Sequence, residues 1–250
     1  MLDDRGGPGA IFLAAAREVQ QLLLLDAMPS TPGFQVQSAY QPAQQVGGDF
    51  FQVAPLRDGR ILVMVGDVSG KGLKAAMNVS LIVGAIKMVT ESNCSPAAIL
   101  EGLNAGLHGR LQNGFATCLA LALAPDGTCT SATAGHPAPF LNDREIDLPG
   151  SLPLGMLSTA EYTETVTPLR QGDLLTLYSD GLLEARGKGG ELYGFARLQT
   201  LIATRPSAQK ALQAAIDFGQ DDDITVLTIT RLPLPHTELV AHATPVLAPA

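Results

Sequence analysis

The sequence predicts an α+β fold in which antiparallel sheets carry helices packed outside them. Hairpin signals with alternating apolar residues open the main part of the chain. Two helical stretches follow at its middle, and further hairpins and a final apolar strand close it. No fixed-period repeat runs through it.

Residues 1–9 are polar and Gly-rich and read as a mobile N-terminus. Residues 10–27 read as a helix, because Leu13, Ala16, Val19, Gln20, Leu23 and Leu24 recur at helical spacing before Pro29, Pro32 and Gly33 end it. Phe34, Val36, Ser38 and Tyr40 alternate with polar residues, as in a half-buried strand. Residues 49–54 and 60–66 are two more strands, joined by the turn dipeptide Asp58-Gly59. The run Ile61–Val65 is apolar on both faces and predicts a central strand. Two helices are expected next, over 73–91, with Leu81, Ala85, Met88 and Val89 as its stripe, and over 96–110. Ser95 is the natural N-cap of the second, with Pro96 at its first position. Strands follow at 115–124 and 128–134 around Asp126-Gly127, then at 137–141, 161–167 and 173–179. Short helices near 194–203 and 207–217 precede a last strand at 224–230. The tail 232–250 is Pro-rich, lacks an apolar period and reads as a disordered extension.

The 250 residues suffice for a substantial core, and 46% hydrophobic with 16% charged residues is a globular composition. With no Trp and few aromatics, that core must be aliphatic. A formal charge of −8 and no Lys/Arg cluster argue against nucleic acid as a partner. Cys94, Cys118 and Cys129 show no metal-binding spacing, Cys118 lies in an apolar run, and three thiols cannot all pair. The expected compartment is the reducing cytoplasm. No uninterrupted apolar run reaches the ~18 residues of a bilayer span. No membrane contact is therefore expected within the chain, although a sensor or membrane region could precede it natively.

The chemistry concentrates in four acidic motifs: Gly47-Gly48-Asp49, Gly66-Asp67-Val68-Ser69-Gly70, Ser179-Asp180-Gly181 and Asp221-Asp222-Asp223-Ile224-Thr225. Any one alone is commonly a turn or a solvated loop. Together, each sets an Asp at the end of a predicted strand beside Gly or another acid, where carboxylates can share a cleft. Three adjacent acids repel one another, and a cation is a natural reason to keep them together. All-oxygen ligands suit Mg²⁺ or Mn²⁺. Phosphoester hydrolases commonly hold two such ions about 3.5–4 Å apart and use them to activate water.

In these residues the sequence resembles the PPM-type metal-dependent phosphatases, in the bacterial branch of stage II sporulation protein E and the sigma-factor-regulating phosphatases. The matching stretches are Tyr40–Phe50 (YQPAQQVGGDF), Gly66–Gly72 (GDVSGKG), Ala134–Pro137 (AGHP), Leu152–Gly155 (LPLG), Gly172–Gly181 (GDLLTLYSDG) and Asp221–Thr225 (DDDIT). They occur in the family's order across roughly residues 12–231. The resemblance implies a four-layer α-β-β-α sandwich, two antiparallel sheets face to face with helices outside, over a domain of residues 30–231. It implies that Asp67 bridges two divalent cations, Mn²⁺ or Mg²⁺, that the Val68 carbonyl ligates one, and that Asp49, Asp180 and Asp222 complete the site. Asp223 is the next choice after Asp222, and Gly48 and Lys71 are secondary candidates. It further implies hydrolysis of phosphoserine or phosphothreonine on a protein, an anti-sigma-factor antagonist by analogy. Residues 10–29 would be a linker or regulatory helix, with a homodimer contact through 10–27, where Leu22–Leu25 put apolar surface on more than one face.

Two departures from the family are visible. Gln52 stands where the family often has an Asp after Gly-Gly-Asp-Phe-Tyr, and Ser69 stands where eukaryotic relatives place a His. No side chain is thereby marked as the proton donor to the leaving group. His136 reads first as a turn residue, and Lys71 suits either phosphate or solvent. Gly66–Gly72 is no P-loop, since Gly72 occupies the place of the metal-binding Ser or Thr. Two alternatives share these residues: a regulatory module that keeps the fold with little turnover, and a hydrolase of some other phosphoester.

Overall fold

The computed structural model describes residues 8–24, 29–111 and 114–233, with side chains from residue 12 onward. The expected mobile start, the end of the 10–27 helix and nearly all of the 232–250 tail lie outside the described residues.

Helix α1 (Pro8–Leu24) leads into β1 (Phe34–Gln41), β2 (Asp49–Pro55) and β3 (Ile61–Val68). Helices α2 (Leu73–Thr90) and α3 (Pro96–Leu107) follow, then β4 (Ala116–Leu123) and β5 (Thr128–Ala134). The short strands β6 (Phe140–Leu141), β7 (Arg144–Glu145) and β8 (Thr165–Pro168) precede β9 (Leu174–Tyr178). Helices α4 (Asp180–Glu184), α5 (Gly194–Ala203) and α6 (Ala208–Gly219) lead to the last strand, β10 (Ile224–Arg231).

Two five-stranded antiparallel sheets result, ordered β1-β10-β9-β6-β7 and β2-β3-β4-β5-β8. Alternation along β10 explains their stacking. Leu227 and Ile229 enter the main core with Val63, Val65, Leu119 and Leu121 of the other sheet. Ile224 and Val226 point the other way, onto a second core with Leu182, Leu198, Ile202 and Leu212 of α4–α6. Both faces of each sheet are thus covered, and each buried Leu or Val contributes about 1.5–3 kcal/mol. Ser95 caps α3 by accepting from the Ala98 N–H at 3.3 Å, as its position before Pro96 predicts.

Helix α2 corrects one expectation. Its buried face is Ala75, Ala76, Asn78, Val79, Ile82, Val83 and Ile86, whereas Leu81 (42% exposed) and Met88 (73%) face outward. The helix is apolar nearly all round, so periodicity marks two candidate faces and cannot choose between them. By length and mean hydropathy (1.4 over 18 residues) it could also cross a bilayer, but here its inner face packs into the main core. The strands expected at 137–141 and 161–167 shrink to two and four residues, and α4 forms where no helix was expected.

Arg231 closes the sandwich at the end of β10. It is buried, its guanidinium donates to the carbonyls of Gly33 (2.9 Å) and Pro125 (2.6 Å), and it stacks on the Phe34 ring at 4.8 Å. These contacts tie the start of β1 to the hairpin between β4 and β5 of the opposite sheet. Replacing Arg231 with Met keeps the stem but leaves both carbonyls without their charged donor. Urea denaturation should register a loss of about 2 kcal/mol or more. A variant as stable as the wild type would show that solvent replaces these bonds at no cost.

Candidate metal centre

Asp49 begins β2 and Asp67 lies near the end of β3, and the two are cross-strand partners. Partners in an antiparallel ladder project to the same face, so both carboxylates enter the space between the sheets. Asp180 begins α4 directly after β9, and Asp222 and Asp223 immediately precede β10. Adjacent strands β9 and β10 of one sheet therefore deliver three acids opposite the two from β2 and β3 of the other.

The opposite sheet also holds Asp49 in place. Its Oδ2 accepts from Ser179 Oγ (2.7 Å) and Thr225 Oγ1 (2.6 Å). Asp223 is committed differently. Its Oδ1 accepts from the Ala43 N–H (2.7 Å) and its Oδ2 from the Gly48 N–H (2.6 Å), so it clamps the loop before β2. Asp222 is more exposed, and its Oδ2 lies 2.9 Å from Lys71 Nζ. Lys71 also donates to the Asp221 carbonyl at 3.2 Å, and Arg186 pairs with the Asp221 carboxylate at the same distance.

Glycine permits the tightest approaches. The Gly48 carbonyl accepts from the Val68 N–H at 3.0 Å, and a Cβ on Gly48 would lie 2.8 Å from the Val68 carbonyl oxygen and 3.0 Å from Asp67 Oδ1. A Cβ on Gly47 would meet Asp223 Oδ2 and the Tyr40 hydroxyl at 2.5 Å each, and one on Gly181 would overlap the Asp223 carbonyl. The glycines beside these acids therefore leave the oxygens room that any side chain would fill.

Electrostatics follow from the crowding. Burial first, then Asp180, Asp222 and Asp223, push Asp67 up to about 7. Asp49 is raised well above the ordinary carboxylate range by burial and then by Asp67, against the lowering effect of Ser179 and Thr225. Burial followed by Glu184 and Asp222 raises Asp180, and burial raises Asp223 despite its backbone donors. Among the described residues, no three His, Cys, Asp or Glu side chains converge tightly enough to grip an ion as they stand. Asp222 is paired with Lys71 at 2.9 Å. The donor set is all oxygen, the Gly48 cradle keeps the Val68 carbonyl and Asp67 open, and the raised carboxylates are short of positive charge. The residues present fit hard divalent cations.

Four contributors were not singled out from the sequence. Ser179 and Thr225 lie inside the acidic motifs, but a hydroxyl's partner cannot be read from a motif. Tyr40 packs its hydroxyl against the position of Gly47. Gln20, buried on α1, donates to the Gly47 carbonyl (2.7 Å) and accepts from its N–H (3.1 Å). Its signal was an amide within an otherwise apolar helical stripe.

The raised carboxylates set a pH dependence. Asp67 binds its proton more tightly in the folded chain than at its ordinary value of 3.8, so its contribution to stability is complete below that value and lost as pH rises through about 7. Metal-free protein should therefore lose melting temperature from about pH 4 to pH 7, and added Mn²⁺ should raise it more at pH 8 than at pH 5. Calorimetric melts with EDTA and with Mn²⁺ check this; a Mn²⁺ effect larger at pH 5 would contradict it.

Residues 57–232 match the family described as stage II sporulation protein E (SpoIIE). The phosphoserine phosphatase RsbU of Bacillus subtilis (strain 168) is 29% identical over 232 residues, covering 86% of this chain and 69% of RsbU. The structure of the RsbU and RsbW domains of Rv1364c from Mycobacterium tuberculosis superposes with TM-score 0.68 at 28% identity, over 82% of this chain but only 62% of that one. The SiaA-PP2C domain of Pseudomonas aeruginosa shares the fold, with TM-score 0.76 at 22% identity over 90% of this chain and 97% of that domain. With residues 57–232 matched to its model, the chain belongs to the stage II sporulation protein E family.

Proposed function

We propose that this SpoIIE-family phosphoprotein phosphatase hydrolyses phosphoserine or phosphothreonine on a protein partner, with two divalent cations held by Asp49, Asp67, Asp180, Asp222 and the Val68 carbonyl. The observation that carries the reading is the gathering of acids from four separate motifs around one inter-sheet cleft, with Asp67 between Asp49 and the acids of the opposite sheet. When bound, the ions would neutralise the phosphoryl oxygens and supply an activated water.

The chain's own residues then divide the work. Asp67 is the acid surrounded by the most others, so it is the one placed to serve both ions. Ser179 and Thr225 orient Asp49 through one oxygen. Asp223 anchors the Gly47-Gly48 loop, which favours Asp222 as the ligand from that motif. Lys71, whose Nζ lies 2.9 Å from Asp222 Oδ2, is the cation beside the cleft that would bind a substrate phosphate. Ser69 Oγ accepts from the Phe115 N–H at 2.9 Å and belongs to loop structure, so proton delivery to the leaving oxygen is left to water. The partner we favour is an anti-sigma-factor antagonist in the cytoplasm, as the resemblance to the sigma-factor-regulating branch suggests.

The test is turnover of phosphorylated candidate proteins by purified protein in Mn²⁺, Mg²⁺ or chelator. EDTA should abolish it, and full turnover in excess EDTA would end the two-metal reading. Ser179→Ala should weaken metal binding by about 10–100-fold. Asp67→Asn should be the most damaging single change, and a near-normal rate for it at ordinary metal concentration would refute its assigned role.

A homodimer through α1 is the second part of the proposal. Phe12, Val19 and Leu22 are 69%, 52% and 76% exposed, and with exposed Ala15 they repeat at spacings of three and four, the pattern of a two-helix seam. Gln20 on the same helix grips Gly47, so self-association would bear on the metal loop. Leu25, the other apolar candidate, lies outside the described residues. The double change Val19→Glu, Leu22→Glu should yield a monomer by light scattering and alter the Mn²⁺ dependence of turnover. A monomeric wild type would remove the dimer.

A further inference from the structure

The row of cross-strand partners that begins with Asp49 and Asp67 does not end there. Thr117 on β4 is the register partner of Asp67 on its other side, and so projects to the same inter-sheet face. Its Oγ1 lies 2.8 Å from Nδ1 of His136, at the end of the row. His136 is 6% exposed and sits on a stiff turn. Its N–H donates to Thr133 Oγ1, whose hydroxyl donates in turn to the His136 carbonyl, both at 3.1 Å. Gly135 before it has φ 70°, and a Cβ there would press on the Pro153 ring. Burial holds the imidazole neutral, its pKa lowered to about 3. Its Nε2 is buried without a hydrogen-bond partner among the described residues.

We propose that His136 is a positioning residue for the metal centre, fixing through its contact with the Thr117 hydroxyl the strand position beside Asp67. The proposal rests on the reading of that cleft as a metal site. Neutral imidazole suits the task because its unprotonated Nδ1 can accept from the Thr117 hydroxyl. The ring hydrogen-bonds no candidate metal ligand, and its effect passes through Thr117 on β4. A ring that merely filled space would contribute to stability without affecting the spacing of the acids.

Calorimetric titration of metal-stripped protein with Mn²⁺, alongside thermal melts in EDTA, separates these roles. Thr117→Val keeps the shape and removes the hydroxyl, and His136→Ala removes the ring. Each should weaken Mn²⁺ binding by about tenfold, the scale of outer partners of metal ligands. The double variant should be no worse than the weaker single, because one linkage is broken in every case. His136→Gln, whose amide oxygen can accept from the Thr117 hydroxyl, should recover part of the affinity. Should His136→Ala not fold, Thr117→Val decides alone. Mn²⁺ affinity within twofold of wild type in folded Thr117→Val overturns the proposal, even if the melting temperature falls. A wild type that binds no Mn²⁺ overturns the metal reading as well.

Discussion

Five aspartates crowded at one end of the sandwich repel one another, and the local structure is organised around that repulsion. Neutral or positive donors relieve most of them: two hydroxyls on Asp49, two backbone N–H groups on Asp223 and an ammonium on Asp222. Asp67 has the least relief and the most acidic neighbours. The sheets can nonetheless hold the acids together because the aliphatic core behind them is extensive. Burial and charge thus oppose each other at this end, and a divalent cation satisfies both.

The loop between β1 and β2 shows how the site is held from a distance. Gln20 from α1 grips Gly47, Asp223 from the approach to β10 grips Ala43 and Gly48, and the Val68 N–H grips the Gly48 carbonyl. Segments far apart in sequence therefore meet on one short loop whose glycines tolerate no side chain. A shift of α1 cannot leave Gly47 untouched, and Gly47 is two residues from Asp49. The two Gln20 hydrogen bonds thus join the helix to the loop that leads into Asp49.

Much of this was legible in the sequence, for identifiable reasons. The strands around Asp58-Gly59 and Asp126-Gly127 announce themselves through turn chemistry, and Ser95-Pro96 marks the start of α3. The acids stand out because four motifs repeat one logic at strand ends. The inner face of α2 was not legible, because Leu81 and Met88 are as apolar as Ile82 and Ile86 and only packing distinguishes them. Nor were the hydroxyls of Ser179 and Thr225, whose partner lies 130 and 176 residues away. Asp222 and Asp223 are chemically identical neighbours. Their different surroundings, an ammonium for one and two backbone amides for the other, exist only after folding.

Among the described residues strand β1 is an edge strand whose one ladder partner is β10, the last strand described. During synthesis, β1 has no place in its sheet until a segment roughly 180–200 residues further along has been made, as Gln41 pairs with Ile224 and Phe34 with Arg231. The same late segment carries Asp222 and Asp223. A nascent chain can assemble β2–β5 and their covering helices first, but the sheet holding β1 must wait. The acidic cleft cannot be complete before β10 pairs with β1 and β9, and a chain truncated before Asp222 has neither a finished sheet nor a complete set of acids.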